Sequence, residues 1–436
     1  MPMTAPANPL MKPSWWDSAL RDATWLDRAR AMRYSIVLLL VAVAFALSAL
    51  IVHGRGGMSG PDPFNNDFVS FWSASRLALD GTPELAYVPK AHGAVERLAY
   101  GEAAIPYYAF FYPPVFLMIC LPLALLPLGA SCWLWLLATA APYLAALWRL
   151  LPPSIGWRRV LCFTFPAIGL NAAYGQNGYL SAAVMAAGLM LLRGRPLVAG
   201  LAFGCLVFKP QLAILLPLAL AAGGYWRTFF VTAATAALLM LVSLALFGWQ
   251  TWEAFFANSA LAQRVLTDDL VSSWKMASVY AGVKLLGGGA GLAASAQAIA
   301  AAVAAGFVVR VARARPDPLD LGAVLVAATL LTTPFVLVYD LTLLAIPLAL
   351  LIRSGSTTGF RPYEKIAVLA GCVAPMLMLP AGEYLHLPLA PPVVAIVYAV
   401  LVRRGLQPAP LSESRPAPLR FLEPRADRGA TAAGAV

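Results

Sequence analysis

Charge is what this chain has least of. Only 12% of its 436 residues are Asp, Glu, Lys or Arg, where a soluble domain carries about a quarter. No acid occurs between Ala103 and Trp252. Histidine is nearly missing too: His53, His92 and His386 lie too far apart for metal-ligand spacing. The five cysteines, Cys120, Cys132, Cys162, Cys205 and Cys372, fall in apolar runs without a CxxC pair and read as small core residues. There is no GxGxxG, Walker loop, HExxH or GxSxG motif. These absences exclude a hidden soluble catalytic domain, a nucleotide-dependent cytoplasmic enzyme, a zinc site and a disulfide scaffold; no cofactor and no metal are expected.

Apolar residues fill the space instead, at 61% of the chain and a mean hydropathy of +0.75. The expected fold is therefore an all-α polytopic membrane protein. The net charge of +11 does not argue for nucleic acid, because the arginines cluster in short loops and tails, as the positive-inside rule requires. The first run, "YSIVLLLVAVAFALSALIV" at 34–52, follows Arg21, Arg28, Arg30 and Arg33. That flank places the segment 1–33 in the cytoplasm and residue 53 outside. Later flanks at Arg193, Arg227, Arg310, Arg353 and Arg403 agree, and they put "GQN" at 175–177, "FKPQ" at 208–211 and "PFVLVYD" at 334–340 on the extracytoplasmic side. One apolar run must be a half-helix for the parity to close; Pro166 and Gly175 mark 160–175, leaving about twelve crossings. Residues 53–112 form a first extracytoplasmic loop with interfacial helices over 67–80 and 89–100, residues 249–287 a second. The tail 405–436 reads as disordered and cytoplasmic. No internal repeat of the transporter type is visible.

Ionisable groups at membrane depth are site hypotheses by default. On the outer side the acids are Asp62, Asp67, Asp80, Glu84, Glu96 and Glu102, then Glu253, Asp268, Asp269, Asp340 and Glu383. Asp67 opens a short aromatic helix containing Phe68, Phe71 and Trp72. It suits either a helix N-cap or a general base at the mouth of a cavity. Lys209, in "CLVFKPQLAIL", marks a helix break before proline; it either snorkels or grips a lipid phosphate. Gln176 and Asn177 either satisfy broken-helix backbone or bind a ligand. Tyr112, Arg76, Lys275, Tyr339 and Asp340 complete the candidates, with helix capping as the plainer reading of Asp340 and helix initiation that of Tyr112.

The stretches "NDFVSFWSASRLALDGTPELAY", "FFYPPVFLMICLPLALLP", "NAAYGQNGYL", "AGLAFGCLVFKPQLAILLPL", "SSWKMASVYAGVKLLG" and "TTPFVLVYDLTLLAIPL" occur in this order. Together, over about 34–400, they resemble glycosyltransferase family 87. The resemblance implies a GT-C-type membrane bundle over 34–404 and transfer of a sugar, mannose in that family, from a polyprenyl-phosphate donor to a lipid or glycan acceptor. It implies inversion at the anomeric carbon, with Asp67 as the loop base, Lys209 as the lysine before proline and Gln176 in the "GQ" position. Tyr339-Asp340 stands where many relatives carry a His pair, and Asp340 cannot act as a cation in its place. The rival readings are a secondary transporter or flippase for a lipid-linked or small polar solute, and a membrane scaffold without activity.

Overall fold

A computed structural model describes residues 15–55, 67–101, 105–268 and 271–407. Of the sequence candidates, Asp62, Glu102, Asp269 and nearly all of the tail 405–436 lie outside the described residues.

The described chain is helical: α1 (Arg28–Arg55), α2 (Phe68–Leu79), α3 (Pro89–Ala99), α4 (Pro114–Cys120), α5 (Leu128–Leu150), α6 (Arg158–Thr164), α7 (Pro166–Tyr174), α8 (Gly178–Leu191) and α9 (Pro196–Cys205). There follow α10 (Leu216–Ala222), α11 (Trp226–Thr267), α12 (Val279–Leu285), α13 (Ala290–Arg313), α14 (Pro318–Thr332), α15 (Ala345–Thr358), α16 (Glu364–Leu385) and α17 (Ala390–Leu406). Among the described residues, five helical stretches are long and apolar enough to cross a membrane: Leu128–Leu150, Trp226–Thr267, Ala290–Arg313, Val338–Thr358 and Glu364–Leu385. Five shorter apolar stretches accompany them, one before Leu128 and four between the long ones. The chain is a polytopic membrane protein.

Proline explains why several expected spans are short. The 160–175 run breaks at Phe165, whose extended backbone (φ −71°, ψ 116°) precedes Pro166 and separates α6 from α7. The 196–222 region breaks at Lys209, again extended (φ −139°, ψ 69°) before Pro210. Short 3₁₀ turns at Leu206–Phe208 and Pro210–Leu212 flank it. A third break occupies Thr333–Leu337, after which a 3₁₀ segment, Val338–Leu344, leads into α15. α14 and Val338–Thr358 form the core; α11 lies at the edge, with Phe230, Leu238, Leu241 and Leu246 turned outward as a lipid-facing helix requires.

Two expectations change. Helix α2 is buried over most of its circumference: eight of its twelve residues are buried, and only the stripe of Trp72, Arg76 and Leu79 is open. Phe71 sits among Phe110, Tyr112, Phe116 and Trp135 with ring centroids 5.0–6.5 Å apart, in edge-to-face contacts. Trp72 donates its indole N–H to the Leu126 carbonyl (2.9 Å). The helix is thus packed into the protein on most sides and leaves a narrow face with Arg76 open. Cys205 is exposed on α9 rather than in the core.

Candidate functional site

Two of the helix breaks, at Lys209 and at Thr333–Leu337, meet the turn between α7 and α8, and polar groups gather there because interrupted helices leave backbone groups to satisfy. The turn Gly175–Gly178 fits there only with glycine at each end. Gly175 caps α7 in the left-handed region (φ +65°), and a Cβ there would lie 2.6 Å from Phe68 Cβ. A Cβ on Gly178 would lie 2.6 Å from the Tyr339 carbonyl and 2.5 Å from Asn171 Oδ1. The turn is thus wedged between the start of α2 and the 338–344 segment. Asn171 locks it: its Nδ2 donates to the Gln176 carbonyl (3.0 Å), and its Oδ1 accepts from Gly178 N–H (2.8 Å).

From this turn a chain of hydrogen bonds runs in both directions. Gln176 Nε2 donates to Asp67 Oδ2 (3.0 Å), and its Oε1 accepts from the Tyr112 hydroxyl (3.1 Å) and from Asn177 N–H (3.3 Å). Lys209 Nζ donates to Asn177 Oδ1 (2.9 Å) and to Asp340 Oδ1 (2.5 Å). Asp340 Oδ2 in turn accepts from Leu337 N–H (3.2 Å). Tyr112 and Tyr339 place their rings 5.8 and 5.3 Å from the ammonium. Asn177 Nδ2 is a buried donor with no partner.

Asp67 occupies the N-cap position of α2, but its side chain makes no capping bond. Its carboxylate is turned instead toward Gln176 and is only partly buried. Burial pushes the carboxyl up to about 6, against the opposing pull of the Gln176 hydrogen bond and the nearby Lys275 charge. A carboxylate of that basicity is ionised at neutral pH and still accepts a proton readily, as a general base must. Lys275 reaches the neighbourhood on a segment tied to the third break, where Ala277 N–H donates to the Val336 carbonyl (2.7 Å). It is partly exposed, with its ammonium 5.0 Å from the Trp274 ring.

The structure therefore brings together Asp67, Tyr112, Gln176, Asn177, Lys209, Tyr339 and Asp340, with Lys275 close by. Two expectations need correction. Arg76 is not in the cluster; it lies farther along α2 on the surface, paired with Asp80 (3.1 Å). Lys209 neither snorkels nor offers an open charge. It is 2% exposed, and its counter-ion Asp340 is fully buried, so the ammonium is spent on holding Asn177 and Asp340. Asp340 also caps the 3₁₀ turn locally, as its plainer reading supposed.

Sequence reasoning passed over a second polar group beside α2. His92 and Glu96 face each other on α3, with Nδ1 and Oε1 3.5 Å apart, both buried. His92 Nε2 meets the Ser70 carbonyl on α2 (3.0 Å), which requires that nitrogen to carry the proton. Glu96 Oε2 accepts from Tyr108 N–H (3.1 Å). Burial lowers His92 to about 4 and raises Glu96 to about 8, so both are neutral at pH 7. The neutral pair fastens α2 and the 105–112 segment without a buried charge. Its i,i+4 spacing within one helix was the available signal.

A family model described as glycosyltransferase family 87 matches residues 110–339, more than half of the chain, and the chain belongs to that family. The matched stretch includes Tyr112, Gln176, Asn177, Lys209, Lys275 and Tyr339 but not Asp67. No curated protein and no solved structure matches the chain.

Proposed function

We propose that this membrane glycosyltransferase moves a sugar, mannose, from a polyprenyl-phosphate donor to a lipid or glycan acceptor at the extracytoplasmic face, with inversion. Asp67 takes the proton from the acceptor hydroxyl as its oxygen attacks the anomeric carbon. The bond from that carbon to the phosphate oxygen breaks, and the phosphate departs with the electron pair. One observation carries this reading: the Asp67 carboxylate is released from helix capping and held by Gln176, in an environment that raises its basicity.

The cation that meets the departing phosphate is Lys275, the partly exposed lysine whose charge already reaches Asp67. The unpartnered Asn177 Nδ2 is a ready donor for a sugar or phosphate oxygen. Lys209 and Asp340 serve by fixing the turn that carries Gln176 and Asn177, a positioning role. The arginine flanks support cytoplasmic ends and an outer site, with residues 34–404 as one catalytic membrane unit of about twelve crossings.

The experiment is transfer by purified Asp67→Asn with polyprenyl-phosphate mannose and candidate acceptors. Transfer is expected to fall about 10²- to 10⁴-fold while donor binding is retained. An Asn variant that transfers at the wild-type rate overturns the assignment.

A further inference from the structure

A separate cavity lies among α1, α5, α6, α15 and α16, and it goes beyond the reading above. Its volume is about 490 Å³. Leu38, Leu147, Leu161, Leu348, Val368 and Leu369 make its walls, so it is apolar over most of its depth. Along α15 it extends from Ala345 to Ser356, about 17 Å at the helical rise. The hydrocarbon core of a bilayer is about 30 Å thick, so this is close to the depth of one leaflet. Water gains little in so apolar a space, and an empty one forfeits the dispersion contacts of its lining. A hydrocarbon chain supplies them.

The mouth is polar and cationic. Arg28 and Lys365 both line the cavity, together with Asp27, whose charge is offset by Arg30 at 4.0 Å. Arg28 ties α1 to the 151–157 turn by donating to the Ser154 carbonyl. Lys365 spends one donor on the Ala23 carbonyl (3.3 Å), and an ammonium has three. Trp157 lines the same space, and its indole N–H is buried with no hydrogen-bond partner. An apolar shaft one leaflet deep, ending at two cations and an orphan donor, matches an amphiphile with an anionic head.

We infer that this cavity is a binding site for one anionic phospholipid of the surrounding leaflet, with an acyl chain in the shaft and its phosphate at Arg28, Lys365 and Trp157. The occupant is a membrane phospholipid and not the sugar donor, because the cationic mouth lies at the Ser356–Lys365 end of α15 and α16, away from Asp340 and the Asp67 cluster.

Native mass spectrometry of the full-length protein, released from nanodiscs of mixed phosphatidylglycerol and phosphatidylcholine, tests the site. Wild type is expected to retain one phosphatidylglycerol per chain. Leu369→Trp, which fills the shaft, is expected to lose it. The double variant Arg28→Gln, Lys365→Gln should keep the shaft but lose the preference for phosphatidylglycerol at least tenfold. Thermal unfolding checks that each variant is folded; if Leu369→Trp is not, the charge variant decides. Equal retention in wild type and the charge variant, no preference between the two lipids, or displacement of the bound lipid by polyprenyl phosphate overturns the inference. Loss of the lipid site would leave the Asp67 assignment untouched, since its readout is transfer.

Discussion

Among the described residues two ion pairs are buried, and they are built differently. Arg404 and Glu364 meet in a two-pronged contact, Nε to Oε1 at 2.8 Å and Nη2 to Oε2 at 2.6 Å. Two further guanidinium N–H groups go to the Thr358 hydroxyl and the Gly359 carbonyl, both at 2.9 Å. That pair is closed on itself. Lys209 and Asp340 form a single-pronged pair whose ammonium continues into Asn177, and from there the hydrogen bonds run through Gln176 to a partly exposed carboxylate. One pair ends in backbone and a hydroxyl; the other ends at a group able to do chemistry. A buried ion pair contributes little net stability over an apolar replacement, so what it is connected to says more about its use than its strength does.

Removing one partner should have the largest effect and, for stability, the same at both ends. Asp340→Ala strands Lys209, and Glu364→Ala strands Arg404; each should destabilise by about 3–5 kcal/mol, measured by thermal unfolding in a fixed detergent. The pairs should then part company when both partners become apolar. Lys209→Met with Asp340→Leu is expected to recover most of the stability, yet transfer should stay about 10²-fold down because the turn carrying Gln176 is loosened. The matched replacement of Arg404 and Glu364 should leave transfer per folded molecule unchanged. Wild-type transfer by the Lys209/Asp340 double variant would erase the contrast.

The neutral pair His92–Glu96 predicts a smaller, pH-dependent effect. A carboxyl raised in the folded state favours folding while protonated, and that contribution is lost as pH rises from about 4.5 to about 8. A histidine lowered to about 4 acts oppositely: its penalty grows as pH falls from 6.5 to 4. Below pH 6.5 the two slopes oppose each other; above it only Glu96 remains. The unfolding temperature should therefore decline between pH 6.5 and 8.5, and Glu96→Gln should flatten that decline. An equal decline in the variant would remove Glu96 as its cause.

Much of the polar cluster is legible in the sequence because the chain is so poor in polar groups. With one lysine and almost one acid in the apolar spans, and a Gly-Gln-Asn-Gly turn between them, few combinations were open. The breaks at Pro166 and Pro210 follow from proline's missing N–H and its effect on the preceding residue. What stayed hidden was pairing across long separations. Lys209 finds its counter-ion 131 residues away, and nothing local to "FKPQ" says that its charge is already used. Helix α2 hides its partners for a related reason: Ser75 donates to the Leu121 carbonyl (2.9 Å) and accepts from Ala124 N–H (3.0 Å), 46 and 49 residues along the chain. Arg76 offers a positive charge in the sequence, and the helix turns it to the surface beside Asp80.

The sharpest test is the pH dependence of transfer at saturating donor, in wild type, Asp67→Asn and Gln176→Leu. Wild-type turnover should rise with pH through a limb near 6, where Asp67 loses its proton. Gln176→Leu removes a hydrogen bond that favours the carboxylate, so its limb should move upward, and residual turnover in Asp67→Asn should show no such limb. A limb that persists in Asp67→Asn, or a wild-type rate flat from pH 5 to about 7.5, would show that another group takes the proton.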